Sequence, residues 1–168
     1  CHRGPFLVME FTPGKDLRAF VKHEAMDANL AVNCIAQAAR GLDFAHQRAI
    51  IHRDIKPANL LLADNTLKIL DFGLAKRRQA DIGGDTSGLT STWVGMGTPD
   101  FMAPEQADNA KHADHRADIY SLGCTLFYLL TGRAPYQGDS TLSKIIAHQQ
   151  QEIPPLPAAN DDVRLDWL

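Results

Sequence analysis

The stretch IIHRDIKPANLLL, residues 50–62, sets an aspartate, a lysine and an asparagine within six positions and fences them with apolar residues. Asp54, Lys56 and Asn59 bring a carboxylate, an ammonium and a carboxamide, and Asp71 adds a second carboxylate twelve positions after Asn59. A small set of hard oxygen donors suits Mg²⁺ whose remaining positions are taken by phosphates and water, and Asn59 with Asp71 makes such a set. An ammonium beside them could steady a transferring phosphoryl group, and the Asp54 carboxylate could orient a hydroxyl nucleophile. These residue types at this spacing imply phosphoryl transfer.

For the four groups to meet, the chain must turn back between Asn59 and Asp71. Leu60–Leu62 and Leu67–Leu70 flank ADNT, which predicts two short strands joined by a turn, with Asp54 in a loop before them and Asp71 just beyond. A helix is expected upstream, capped by Asp27 and running toward Ala49, because Leu30, Cys34, Ile35, Ala38, Leu42 and Ala45 recur at helical spacing. That apolar stripe reads as core. PFLVMEF suits a strand and TPGKDL after it has turn chemistry. Downstream, helices are expected from about Arg116 to Leu130, ended by TGRAP, and from about Ser140 to Gln150, ended by prolines. The Gly/Ser/Thr/Asp-rich segment from Ala80 to Thr92 reads as a loop.

Bulk properties narrow the class. With 168 residues and 45% hydrophobic content the chain can bury a domain core, which argues against disorder and against a disulfide scaffold. A net charge of −3 with both signs interspersed favours neither nucleic acid nor a membrane surface as partner. Cys1, Cys34 and Cys124 form no CxxC pair, consistent with a reducing, cytoplasmic compartment. The longest apolar run, Tyr120 to Leu130, is too short to span a bilayer, and no signal peptide is expected. His112 and His115 have a metal-site spacing but lack a third ligand nearby, so they read as surface histidines. Neither GGDTSG nor GMGTPD fits a phosphate-cradling loop. The chain opens on Cys1 and closes on DVRLDWL, whose apolar residues look like a helix cut short, so both ends read as breaks.

HRDIKPAN, LDFG and MAPEQ occur in that order at suitable spacing, and with them the sequence resembles the eukaryotic-type (Hanks-type) protein kinases. HRDIKPAN fits the catalytic loop and Asp71-Phe72-Gly73 the DFG motif. The resemblance implies an α+β, protein-kinase-like fold: a mainly helical large lobe with short β-hairpins and most of the small lobe absent. Residues 1–14 would be the last small-lobe strand and the hinge, and residues 15–168 a large lobe cut at its C-terminus. It assigns Asp54 as catalytic base, Lys56 to the transferring phosphate, and Asn59 and Asp71 to Mg²⁺. Met9 would be the gatekeeper, Glu10 and Thr12 would offer hinge groups to the adenine of ATP, Asp16 would meet the ribose, and Leu61 would floor the base. His52, Phe72 and Asp118 match residues that stack or anchor the lobe from inside. Thr98 matches the threonine supporting the base, and Glu105 one that pairs with an arginine in a later helix.

The lysine of HRDIKPAN marks the serine/threonine branch, so protein serine or threonine hydroxyls are the expected acceptors, and GTPDFMAPEQA resembles the bacterial members. The glycine-rich loop, the strand lysine and the helix glutamate of the family would precede Cys1, so a piece of a longer kinase, barely active by itself, is the leading reading. A truncated kinase-like binding or scaffold module is the alternative, and intact Asp54, Asn59 and Asp71 count against it. A metal-dependent hydrolase is a further rival that the lack of a second carboxylate or His-rich cluster opposes. Substrate identity and any membrane anchor of a parent protein lie beyond these residues.

Arg53 before Asp54 goes, in this family, with control by phosphorylation of the segment from Asp71 to Glu105, which carries Thr90 and Thr92. A phosphate there would pair bidentately with the guanidinium and order the segment. Replacing both threonines by alanine in the complete protein should therefore depress its activity, and unchanged phosphorylation of a protein acceptor would refute the pairing.

Overall fold

The computed structural model describes residues 10–21, 24–72, 99–109 and 113–156. Helix α1 (Ala28–His46) begins where the sequence places its cap: the Asp27 carboxylate accepts from the Leu30 N–H at 2.9 Å, satisfying one of the first-turn donors. Ala31, Cys34, Ala38, Leu42 and Ala45 form its buried stripe. That stripe packs against α3 (His115–Thr131). Helix α3 starts under an Asp114 cap and stops at Gly132, whose φ of 74° lets its N–H close onto the Tyr128 carbonyl at 2.8 Å. Buried residues, among them Ala117, Asp118, Leu122, Phe127 and Leu129, cover most of α3 and leave an exposed stripe at Arg116, Ile119 and Gly123, so it is the central helix. Leu17, Leu42, Leu60 and Leu129 are each fully buried in one core cluster, at about 1.5–3 kcal/mol apiece for the area removed from water.

The hairpin forms as expected. Strands β2 (Leu60–Ala63) and β3 (Thr66–Ile69) pair antiparallel with Leu60 opposite Ile69, and the two-residue turn Asp64-Asn65 has φ of 46° and 63°. Both central residues at positive φ is the turn whose twist matches that of paired strands, and Asp and Asn tolerate it best after glycine. Gln37 of α1 pins the hairpin in place: its carboxamide oxygen accepts from the Leu67 N–H at 2.9 Å and its nitrogen donates to the Asn65 carbonyl at 3.1 Å.

TPGKDL departs from the turn expected of it. Lys15 and Asp16 form β1, antiparallel to β2 with Lys15 opposite Leu62 and Asp16 opposite Leu61, and the turn comes only afterwards, as a 3-10 helix at Leu17–Phe20. A Cβ at Gly14 would sit 2.7 Å from the Leu62 carbonyl oxygen, so the absence of a side chain is what lets β1 reach the sheet. Of PFLVMEF, only Glu10 and Phe11 are described, and neither is in a strand.

Two shorter helices complete the described fold. Helix α2 (Pro104–Asn109) was not expected from periodicity, and α4 (Thr141–Gln150) opens with a reciprocal Ser140–Ser143 capping box. Helix α4 holds the 3-10 turn Pro99–Phe101 through Lys144 and Asp100, 2.6 Å apart. Its buried His148 meets the Tyr120 hydroxyl at 2.7 Å. Cys34 and Cys124 are free and buried, and burial raises both thiols, that of Cys124 to about 12, which removes them as nucleophiles. Among the described residues no helix is long and apolar enough to cross a membrane.

Gly14→Ala should cost about 1–3 kcal/mol, because backbone must yield to the added methyl. A lowered urea midpoint, together with loss of the cross-strand contacts of Lys15 and Asp16 in NMR spectra, would check this.

Candidate active site

The segment between α1 and β2 holds Asp54, Lys56 and Asn59, and a buried carboxylate on α3 shapes it. Asp118, with no exposed surface, accepts from the His52 N–H at 2.9 Å and the Arg53 N–H at 2.7 Å. Its Oδ2 also lies 2.7 Å from Nε2 of His46, the last residue of α1. One carboxylate thus clamps the two residues before Asp54 and the end of the preceding helix. Arg53 is held at a φ of 66°, a left-handed conformation that a side chain adopts only when its surroundings impose it.

His52 reaches the other way, to the hairpin. Its Nε2 lies 2.7 Å from the Leu70 carbonyl and its Nδ1 3.2 Å from the Asp54 N. A carbonyl can only accept and a backbone N–H can only donate, so the tautomer protonated on Nε2 satisfies both. The ring is buried and meets Phe72 edge-on at 4.9 Å, while Phe72 keeps one side open to solvent.

Three side chains converge on this frame. Lys56 Nζ lies 2.9 and 2.8 Å from the two carboxylate oxygens of Asp54. The Asn59 carboxamide nitrogen donates to the Asp54 backbone carbonyl at 2.7 Å and to its Oδ2 at 3.0 Å. With the nitrogen so committed, the carboxamide oxygen of Asn59 is the atom left to meet a cation. The Leu70 N–H donates to the Asn59 carbonyl at 2.8 Å, so the hairpin returns the chain to Asn59 one residue before Asp71. Asp71 is exposed, at a φ of 63°. A carboxamide oxygen and a nearby exposed carboxylate fit Mg²⁺, which takes few protein ligands beside phosphate and water. Among the described residues no cluster of three His, Cys, Asp or Glu competes for that part.

On the opposite flank, Asp16 and Leu61 are cross-strand partners, so the positions expected at ribose and base stand side by side. The Asp16 carboxylate is engaged by Arg18, through the backbone N–H at 3.0 Å and the guanidinium at 2.9 Å, which lowers its pKa. Glu10 and Thr12 are tied to the hairpin by Lys68, whose Nζ lies 2.6 Å from Glu10 Oε1 and 3.1 Å from Thr12 Oγ1. The Lys68 hydrogen bond and charge also hold the exposed Glu10 carboxyl below its usual range. Arg53 donates to the Ala113 carbonyl at 3.2 Å, and Glu105 is exposed in the first turn of α2.

A family model described as "Protein kinase domain" matches residues 2–166. The chain belongs to that family. It is 41% identical over 164 residues to serine/threonine-protein kinase PknB of Mycobacterium tuberculosis, covering 96% of this chain and 25% of that protein. To serine/threonine-protein kinase PknA of Corynebacterium glutamicum it is 39% identical over 160 residues, 94% of this chain and 33% of that protein. Among solved structures, the crystal structure of Rad53 1-466 in complex with AMP-PNP matches with a TM-score of 0.62 and 29% identity, over 82% of this chain and 33% of that one. The fold is thus that of a protein kinase, and the chain spans a quarter to a third of the length of these relatives.

Within this kinase domain, Met9, Gly73, Thr90, Thr92 and Thr98 lie outside the described residues. Two buried or half-buried partners of the catalytic segment escaped the sequence reading. His46 carries no motif of its own and meets Asp118 across 72 positions. Gln106, buried in α2, donates to the Arg53 carbonyl at 2.9 Å. Its place two residues after Pro104 was the available signal, since proline favours the first position of a helix and Gln the third.

Asp118→Ala should unfold the site first, because the N–H groups of His52 and Arg53 lose their acceptor at about 1–3 kcal/mol each. Chemical denaturation should show that loss, and Asp118→Asn, which keeps one acceptor oxygen, should recover part of it.

Proposed function

We propose that this chain is the large-lobe portion of a bacterial-type serine/threonine protein kinase. Residues 1–14 bring the end of the small lobe and the hinge, residues 15–168 the large lobe, and the complete cytoplasmic catalytic domain transfers the γ-phosphate of ATP to protein hydroxyls. One observation carries the reading: Lys56 and Asn59 each lie within hydrogen-bonding distance of the Asp54 carboxylate, in a segment whose backbone Asp118 holds. Family membership and the 41% identity to PknB support it.

In the reaction, the Asp54 carboxylate accepts a hydrogen bond from the acceptor serine or threonine and aims its oxygen at the γ-phosphorus. The new P–O bond forms as the bond to the β-phosphate oxygen breaks, the hydroxyl proton passes to Asp54, and ADP leaves. Lys56 moves from the Asp54 carboxylate, where it rests here, to the oxygens of the moving phosphoryl group. Asn59 and Asp71 would hold Mg²⁺, which would supply positive charge to offset that on the phosphate oxygens. Leu61, Asp16 and the hinge residues Met9, Glu10 and Thr12 receive the nucleoside. His52, Phe72, Gly73, Thr98 and Glu105 support the lobe, and Arg53 receives the phosphate of Thr90 or Thr92 when the segment is phosphorylated.

Asp54→Asn in a complete kinase domain should lower kcat by about 10²–10⁴-fold, the usual worth of a positioned base, with little change in ATP binding. Label transfer from γ-labelled ATP to a protein acceptor measures it, and undiminished transfer by the variant would refute the reading. The 168-residue chain by itself should label acceptors feebly at most.

A further inference from the structure

We propose that Gln106 is a positioning residue of the transfer reaction, one that sets the aim of Asp54 by holding the peptide that joins it to Arg53; the inference rests on the kinase reading above. Gln106 is 5% exposed and its carboxamide has two partners on different elements. The oxygen accepts from the Ala103 N–H at 3.1 Å, and the nitrogen donates to the Arg53 carbonyl at 2.9 Å. A backbone N–H can only donate and a carbonyl can only accept, so the carboxamide fits in one orientation alone.

The first bond is a helix cap. Gln106 is the third residue of α2, and its side chain reaches back to the backbone N–H of the residue before the helix, as glutamate or glutamine does in a capping box. Ala103 has no side chain to return the favour, so that bond is half of the device. A glutamate would make it equally well and would suit the positive end of the helix better. What glutamate lacks is a donor, and the second bond requires one. The residue type at this position is therefore explained by the bond to Arg53, not by the cap.

That second bond lands where backbone freedom would do most harm. The Arg53–Asp54 peptide has its N–H bound by His52 Nδ1 at 3.2 Å and its carbonyl bound by Gln106. Arg53, at a φ of 66°, has its own N–H held by Asp118 at 2.7 Å. Released at the carbonyl end, this peptide plane can swing about the bonds on either side of it, and the swing turns the Asp54 side chain. A displacement of about 1 Å in a reacting group is enough to cost on the order of 10²-fold in rate. The same bond makes the aim of Asp54 depend on where the start of α2 sits.

The test uses the complete kinase with casein as acceptor, comparing the parent with Gln106→Glu, which keeps the cap and the volume and removes the donor. The expected result is a fall in kcat of about 10–100-fold with KM for ATP within about twofold when each protein is assayed well below its own Tm, the split that marks loss of aim and not of binding; the Glu variant also melts lower, because its carboxylate is buried against the Arg53 carbonyl. Gln106→Met, uncharged and of similar volume, should show the same kcat loss, and serves if the glutamate variant fails to fold. A kcat at the parent level in either folded variant overturns the proposal, as does a kcat loss matched by an equal rise in KM for ATP. A parent that transfers no phosphate to protein overturns the kinase reading instead.

Discussion

The Asp118 carboxylate is the constraint on which the site depends. It is buried in the central helix and spends its oxygens on two consecutive backbone N–H groups and the His46 ring. Hydrogen bonds to an ionised acceptor are about twice as strong as neutral ones, and a buried charge is tolerable only when its lone pairs are filled in this way. Removing it would leave the N–H groups of His52 and Arg53 without their acceptor. Because Asp118 lies on the buried face of α3, the frame it offers to residues 52 and 53 is anchored in the core, and the geometry of Asp54 is inherited from there rather than from its own loop.

Strain is distributed around that frame. Arg53 and Asp71 both take positive φ, at roughly 1–3 kcal/mol for such conformations, and the two residues bracket the hairpin. Each is adjacent to a residue that His52 contacts, since the ring bonds the Leu70 carbonyl before Asp71 and accepts from the N–H after Arg53. A single neutral imidazole thereby links the two strained positions. The His52–Phe72 ring contact extends that link one residue past Asp71.

What the sequence disclosed and what it hid divide along range. The β2–β3 hairpin, the Asp27 cap and the meeting of Asp54, Lys56 and Asn59 are local, so residue types and spacing sufficed. Strand β1 was hidden because its evidence lies in β2, where the missing side chain at Gly14 permits the close approach to Leu62. Helix α2 is too short for periodicity to register. His46 and Gln106 act on partners 72 and 53 positions away, and neither stands in a pattern that names the partner. The family motifs pointed to Asp54, Lys56 and Asn59, while the groups that hold them in place were visible only in three dimensions.

The division of labour between backbone and side chain then has a physical sense. Backbone at residues 52–54 is fixed by charge-assisted or buried bonds, whereas the Lys56–Asp54 ion pair that crowns the site joins a carboxylate that is 42% exposed to an ammonium that is 19% exposed. Pairs with that much access to water contribute about 1 kcal/mol or less, and are screened further by salt. A polyanion arriving with its own charge can therefore draw the ammonium away from the carboxylate, and the freed carboxylate can turn to a hydroxyl without any change in the segment beneath. A pair buried as deeply as Asp118 could not be exchanged this way, and a backbone held as loosely as Lys56 could not aim. In the proposed reaction the Lys56–Asp54 contact is therefore the one to be exchanged, above a backbone that Asp118 holds in place.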